Sequence, residues 1–274
     1  MLRRALKRLL SSKSPEPVAV VSARAPTSAR APTSAPAREY TVRLVESSVL
    51  TPATLELAFA PENGVTIPYF AGQYVQLDVP EDTEKGLRRE LRYYSLWSAP
   101  HEPQLRTVVR LVGGRATTWL ASLELGAEVR LIAPLGDFGL RRPLGRPLIF
   151  VATGTGIVPI RSMLAHLATI GELTGRSPTL LWGLRTEADL FHRTAIEALG
   201  VDVRVTLSQP DSGWTGLRGR VTDHLESLPL GPGAMAWICG NGAMVGQVTT
   251  FLEGRGITRP TGHLITEKFF DAST

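Results

Sequence analysis

The sequence predicts two folding units in series: an antiparallel six-stranded β-barrel, then an α/β unit on a five-stranded parallel sheet. Three observations carry that reading. From Glu39 to about Leu140, short β-prone runs are broken by turn residues, with a single helical pattern among them. From Arg146 onward, strand-length apolar runs alternate with helical patterns, the rhythm of a parallel sheet covered on both faces. The chain has 274 residues and is 43% hydrophobic, enough for two ordinary cores. The expected divisions are a tail over residues 1–38, the barrel over 39–143 and the α/β unit over 144–274, with the boundary inside Arg141–Pro147.

The tail is set apart by composition. Ser22-Ala23-Arg24-Ala25-Pro26-Thr27 repeats at once as residues 28–33, and Ser34-Ala35-Pro36-Ala37 begins a third copy. Such sequence buries too little apolar surface to offset its ordering entropy, so it reads as a flexible linker. Ahead of it, Met1–Leu10 sets Leu2, Leu6, Leu9 and Leu10 against Arg3, Arg4, Lys7 and Arg8. A membrane-surface helix making weak contact, an organellar transit peptide and a solvated terminus are the three readings. Residues 1–38 carry eight basic side chains against Glu16 alone, a surplus of seven within a net charge of +5. The folded remainder is thus slightly acidic, which argues against a nucleic-acid-binding domain. No apolar run reaches the roughly 18 residues of a membrane span, and a cytoplasmic monomer is expected.

The barrel strands are expected at Tyr40–Val45, Thr54–Phe59, Tyr74–Val79, Arg92–Leu96, Leu105–Leu111 and Glu128–Ile132, closing on themselves, with one helix at Ala116–Leu123. In the second unit, strands are expected at Pro147–Thr153, Thr179–Leu184, Val201–Leu207, Ala236–Cys239 and His263–Thr266. Helices are expected at Pro159–Ile170, Ala188–Leu199, Val221–Ser227 and Ala243–Gly254.

Three stretches carry chemistry. Gly154, Thr155 and Gly156 follow a buried strand and open a helix at Pro159, a turn whose glycines let a ligand's phosphates approach the helix N-terminus. Pro159 stands where the Rossmann pattern has its third glycine. Arg92, Tyr94 and Ser95 share one strand and offer a diphosphate partner, a stacking ring and a hydroxyl donor. Gly113-Gly114-Arg115-Ala116-Thr117 is a second glycine turn leading into a helix. The five histidines lack metal-ligand spacing, so no metal site is expected, and no Ser/His/Asp arrangement supports a hydrolase. The single cysteine, Cys239, excludes an internal disulfide and a cluster held by four thiolates of this chain.

The ordered set Arg92-x-Tyr94-Ser95, Gly114-x-x-Thr117, Pro134-x-Gly136-x-Phe138, Gly154-Thr155-Gly156-Ile157-x-Pro159, Gly183-x-Arg185-x-x-x-Asp189-Leu190, Cys239-Gly240 and Glu267-Lys268-Phe269-Phe270 resembles the ferredoxin–NADP reductase superfamily over roughly residues 40–270. Ala133 stands where that family usually has glycine. The resemblance implies an FAD-dependent reductase that moves a hydride between NADP, or NAD, and the flavin. It gives Arg92 to the FAD pyrophosphate, Tyr94 to the isoalloxazine and Ser95 to its reactive nitrogen. Leu96, Val109, Arg110 and the turn Gly114, Arg115, Ala116 and Thr117 complete the flavin set. Gly154, Thr155, Gly156, Pro159 and Gly240 fall to the nicotinamide nucleotide, and Cys239 sits beside its ring. Glu267 and Phe270 close the flavin's other side, and Tyr94, Ser95, Cys239 and Glu267 make the catalytic group.

For the 2′-phosphate of NADP, Arg185, Ser208 and Arg220 are the implied donors, whereas Gln209 replaces an arginine common in NADP-using relatives. Electrons are expected to leave to a separate ferredoxin or flavodoxin-type carrier, docking near Arg88, Arg89 and Arg92 or near Arg141, Arg142 and Arg146. The alternatives are a reductase component of an oxygenase, a free flavin reductase, and a non-catalytic FAD-binding subunit.

Overall fold

The computed structural model describes residues 31–83 and 86–269, without the side chains of residues 63 and 81–89. The amphipathic segment Met1–Leu10, most of the repeat, the side chains of Arg88 and Arg89, and Phe270 lie outside the described residues.

Six strands form the first sheet: β1 (Arg38–Thr51), β2 (Thr54–Pro61), β3 (Tyr74–Thr83), β4 (Gly86–Ser95), β5 (Leu105–Arg110) and β6 (Glu128–Leu135). Their order is β4-β3-β6-β1-β2-β5, with every neighbouring pair antiparallel. Bulges between Leu44 and Glu46 and between Val49 and Thr51 bend β1, which lets the sheet curl. Inside the curl, Val42, Leu44, Leu57, Phe59, Leu77 and Leu131 pack into one core. The six expected strands are all present, several of them longer than expected.

The expected closure needs correcting. The sheet's edges, β4 and β5, meet at one bridge, Leu96–Thr107, where the Thr107 hydroxyl donates to the Ser95 carbonyl at 2.8 Å. From there β4 stays paired with β3 as far as Thr83–Gly86, and the twist of that ribbon carries it away from β5. The barrel is therefore split. Helix α1 (Arg115–Ser122) follows β5.

The second sheet contains β7 (Leu148–Thr153), β8 (Thr179–Leu184), β9 (Asp202–Leu207), β10 (Leu217–Arg218), β11 (Met235–Asn241) and β12 (Leu264–Phe269), all parallel. The two-residue β10, paired to the end of β9, makes six strands where the sequence indicates five. The order β10-β9-β8-β7-β11-β12 reverses direction between β7 and β11. Ligands of open parallel sheets bind at such a switch point, beyond the strands' carboxyl ends.

Alternate residues of the central strands enter separate cores: Phe150, Trp182 and Trp237 on one face, and Ile149, Val151 and Ile238 on the other. This is why those strands read as unbroken apolar runs. Helices α2 (Ile157–Thr169) and α4 (Gly242–Glu253) match the pattern closely. The expected helix Ala188–Leu199 does not form as one piece. It is a 3₁₀ turn, Glu187–Asp189, and a five-residue helix α3, Arg193–Glu197, separated by His192 at φ 50°. Residues Val221–Ser227 form a 3₁₀ helix. Among the described residues no helix is long and apolar enough to cross a membrane.

Trp237 ties this sheet to the segment leaving the barrel. Its ring stacks on Phe150 at 5.2 Å, and its indole N–H donates to the Gly139 carbonyl at 3.0 Å. Trp237→Ala removes that packing and strands the carbonyl. It is expected to cost about 3–5 kcal/mol in urea unfolding, and a loss below about 1 kcal/mol would contradict this account.

Candidate active site

Two cavities open where the split barrel faces the carboxyl ends of the parallel strands. The larger, about 750 Å³, lies in the gap between β4 and β5. Arg92, Tyr94 and Ser95 line it from β4, Val109 and Arg110 from β5, and Gly114, Arg115, Ala116 and Thr117 from the start of α1. Thr155, Val158, Glu267, Lys268 and Phe269 line it from the α/β side. The first-turn N–H groups of any α-helix lack intrahelical acceptors, so the start of α1 is suited to an anion.

The second cavity, about 440 Å³, is lined by Gly154, Thr155, Gly183, Arg185, Phe191, Ser208, Arg220, Gly240 and Asn241, with Thr54 reaching in from β2. Arg110, Thr155 and Phe269 line both cavities. The two spaces thus meet at those three side chains.

Most residues expected from the sequence gather at these cavities, and four stand behind them. Leu96 is 1% exposed and belongs to the barrel core. Pro159 is buried in the first turn of α2. Gly156 packs so tightly that a Cβ there would stand 2.2 Å from the Cys239 carbonyl oxygen. Cys239 itself is fully buried, its thiol 3.8 Å from Glu267 Oε2.

Cys239 and Glu267 are register partners on β11 and β12, which places thiol and carboxyl side by side. Burial pushes the Cys239 thiol well up, with the nearby Glu267 charge adding to the shift. Burial also pushes Glu267 up to about 7, against the downward pull of the thiol's hydrogen bond. Glu267 is therefore a carboxyl that exchanges its proton near neutrality, on the wall of the larger cavity. Burial raises Tyr94 as well, and keeps its phenol neutral despite the adjacent Arg92.

Arg92 and Arg115 both pair with the carboxylate of Glu90, two residues before Arg92 on β4. A carboxylate thus already sits between the two guanidiniums of the anion cradle. In the smaller cavity, the Arg185 Nε donates to Gln209 Oε1 at 2.8 Å, so Gln209 braces that arginine. The sequence reading gave no site role to Tyr74, Thr54 or Asn241, and named Lys268 and Phe269 only within the closing motif. Asn241 alone had a local signal, as the Asn that caps α4 through the N–H groups of Ala243 and Met244.

A split barrel joined to a parallel sheet, with a nucleotide-sized cavity on each side of one shared wall, defines a flavin- and nicotinamide-dependent oxidoreductase. The known proteins agree. Residues 150–250 match the family model of the oxidoreductase NAD-binding domain. Ferredoxin–NADP reductase B of Sorangium cellulosum is 33% identical over 243 residues, covering 83% of this chain and 97% of that protein. The electron transfer component of toluate 1,2-dioxygenase from Pseudomonas putida is 30% identical over 217 residues, 76% of this chain but 61% of that protein. The crystal structure of the Amycolatopsis cytochrome P450 reductase GcoB superposes with a TM-score of 0.74 at 29% identity, over 88% of this chain and 72% of that one. The chain belongs to the ferredoxin–NADP reductase family, and it is an oxidoreductase that uses FAD and a nicotinamide dinucleotide.

The larger cavity fits FAD by its own chemistry. It has the volume of a cofactor site, two guanidiniums and a helix start for phosphates, and a tyrosine for a flat ring. A Cβ added at Gly114 meets nothing within 4 Å, so the cradle is open.

Glu267 gives a pH prediction. Its folded value of about 7 lies above the ordinary 4.5, so the folded protein holds this proton more tightly than the unfolded chain does. The stabilisation is complete below about pH 4.5 and is lost as the pH rises toward 7. Glu267→Gln cannot titrate. Relative to the parent, the apoprotein variant should gain stability between pH 5 and pH 8, by up to about 3 kcal/mol. Denaturant unfolding at the two pH values measures this, and a pH-independent difference contradicts it.

Proposed function

We propose that this reductase moves a hydride between NADPH and its FAD and passes single electrons to a small ferredoxin- or flavodoxin-type carrier. The observation that supports the reading best is the shared wall: Arg110, Thr155 and Phe269 border both cavities, so ligands filling them meet there. Residues 39–143 serve as the flavin-binding unit and residues 144–274 as the nucleotide-binding unit.

Bound FAD would supply an acceptor for the nicotinamide hydride that can release electrons singly or as a pair. The chain's own residues do the rest. Arg92, Arg115 and the start of α1 hold the pyrophosphate, with Glu90 yielding its place between the guanidiniums. Tyr94 would offer its ring to the isoalloxazine, and Ser95 would offer it a hydroxyl donor. Gly154 and Thr155 hold the nicotinamide nucleotide, and Gly240 leaves room at the end of β11. Phe269 lines the junction of the two cavities, next in sequence to Phe270, which the resemblance gives to the flavin's other side. Glu267, poised near neutrality, holds or gives up a proton at its carboxyl beside the flavin.

Arg185, Ser208 and Arg220 line one end of the smaller cavity, which supports NADPH over NADH, since two guanidiniums suit a 2′-phosphate. Because Gln209 braces Arg185 rather than opposing it, its presence does not argue for NADH. A second reading, the reductase of an oxygenase, is favoured by the 30% identity to the toluate dioxygenase component. Either enzyme draws on a cellular NAD(P)H pool, which fits the cytoplasm.

The purified protein should be yellow with flavin absorption bands. Arg92→Ala should weaken FAD binding about tenfold or more, since it removes a charged partner of the diphosphate. A colourless protein that does not take up FAD would overturn the flavin assignment.

Steady-state comparison of the two nucleotides should give the higher kcat/KM with NADPH, and stopped-flow mixing should show reduction of a ferredoxin or flavodoxin. A strong NADH preference sinks the nucleotide choice. Failure to reduce any one-electron carrier, with flavin reduction intact, sinks the acceptor.

A further inference from the structure

Beside the smaller cavity, the two units are joined by a polar assembly that the proposed chemistry does not use. Glu56, on β2 of the barrel, is 7% exposed, and both of its oxygens are taken. Arg106 Nη1 donates to Oε1 at 2.7 Å, and His192 Nε2 bonds Oε2 at 2.6 Å from the α/β side. Arg106 is itself held by Glu46 and Gln104. The paired Arg106 and His192 outweigh burial and keep the Glu56 carboxyl below its ordinary range. As a carboxylate it only accepts, so the His192 Nε2 carries the hydrogen.

His192 is held unusually. It is the one non-glycine residue among the described set with a left-handed backbone, a conformation that costs energy and persists only where its surroundings enforce it. Its ring lies 5.2 Å from Trp97 at 31°, and Arg161 stands over the same indole at 5.1 Å while bonding the Trp97 carbonyl and Glu102. Every one of these contacts crosses between barrel and α/β residues, apart from those within one unit that brace Arg106.

The Glu56–His192 latch abuts the smaller cavity from both units. Phe191, the residue before His192, lines that cavity and packs edge-on against Trp182 at 5.2 Å. Thr54, two residues before Glu56 and therefore on the same face of β2, lines it from the barrel. The strained turn and the strand it is bonded to thus each give a residue to the cavity's lining.

We propose that His192 is a positioning residue for the nicotinamide nucleotide: its bond to Glu56 across the seam fixes Phe191 and Thr54 in the lining of the smaller cavity. The inference rests on the reading of that cavity as the nucleotide site. It assigns His192 no contact with either cofactor. The class of effect is on nucleotide binding, not on hydride transfer.

The test uses the full-length holoenzyme with NADPH and NADH and ferricyanide as acceptor. His192→Gly keeps the left-handed backbone accessible while removing the ring. The expected result is a KM for the better nucleotide raised about tenfold, with kcat and FAD content within about twofold of the parent. Glu56→Gln retains an acceptor but loses the charge, so its KM should rise less. The double variant should match His192→Gly, because with the ring gone the Glu56 change has no bond to His192 left to weaken. A merely structural role would instead lower FAD content, melting temperature and kcat together, and that outcome overturns the proposal. An unchanged KM in His192→Gly, with the parent active, overturns it too while leaving the nucleotide site standing. A parent that holds FAD but oxidises neither nucleotide removes the nucleotide site and the latch together.

Discussion

The approach of two backbones fixes the site: the turn after β7 lies against the end of β11, closer than any side chain at Gly156 permits. A Cβ at Gly156 would stand 2.2 Å from the Cys239 carbonyl oxygen, and one at Gly240, where φ is 143°, would stand 2.2 Å from Thr153 Oγ1. The Thr153 hydroxyl also accepts the Asn241 N–H at 3.1 Å. Two glycines and one threonine therefore bring the start of α2 and the cap of α4 together at the point where strand order reverses. Displace that contact, and Thr155 leaves the junction that it shares with Arg110 and Phe269. Glycine is required here for close packing as much as for ligand room, which is why Gly156 itself borders neither cavity.

The same contact governs the electrostatics. With β11 pressed between β7 and β12, Cys239 is excluded from solvent and its register partner Glu267 is half-withdrawn. The thiol is then a donor whose own ionisation is suppressed, and the carboxyl beside it is the group free to titrate. A neutral-range acid at this place follows from strand register and burial alone. No metal-ligating group of three or more His, Cys, Asp or Glu occurs among the described residues.

Much of this was legible in the sequence because it is local. Each barrel strand announces itself by a short β-prone run, each central parallel strand by a run apolar on both faces, and the glycine turns by their place between strand and helix. What was hidden is what depends on partners far away in the chain. The two residues of β10 have no pattern of their own and are a strand only because β9 lies alongside. Ala188–Leu199 carries a helical apolar pattern, but His192 is pulled out of it by Glu56, 136 residues earlier, and by Trp97. The Glu90 carboxylate, two positions from Arg92, was visible as a charge and invisible as the present occupant of the anion cradle. The place of Phe269 needs the register of β12, which puts it opposite Asn241 at the sheet's carboxyl edge.

The split in the barrel connects these parts. A fully closed six-stranded barrel fills its interior with side chains and offers nothing between β4 and β5. Here one bridge at Leu96–Thr107 holds the edges together at one end while the β3–β4 ribbon twists away, opening a slot with Arg92, Tyr94 and Ser95 along one lip. Val109, Arg110 and the start of α1 form the other lip. The parallel sheet stops that slot with Glu267, Lys268 and Phe269, so its far wall belongs to the nucleotide-binding half. Neither half alone encloses that cavity. It follows that contacts holding the halves in register, Trp237 to Gly139 and Arg161 to Trp97 among them, shape the cavities as directly as the residues that line them.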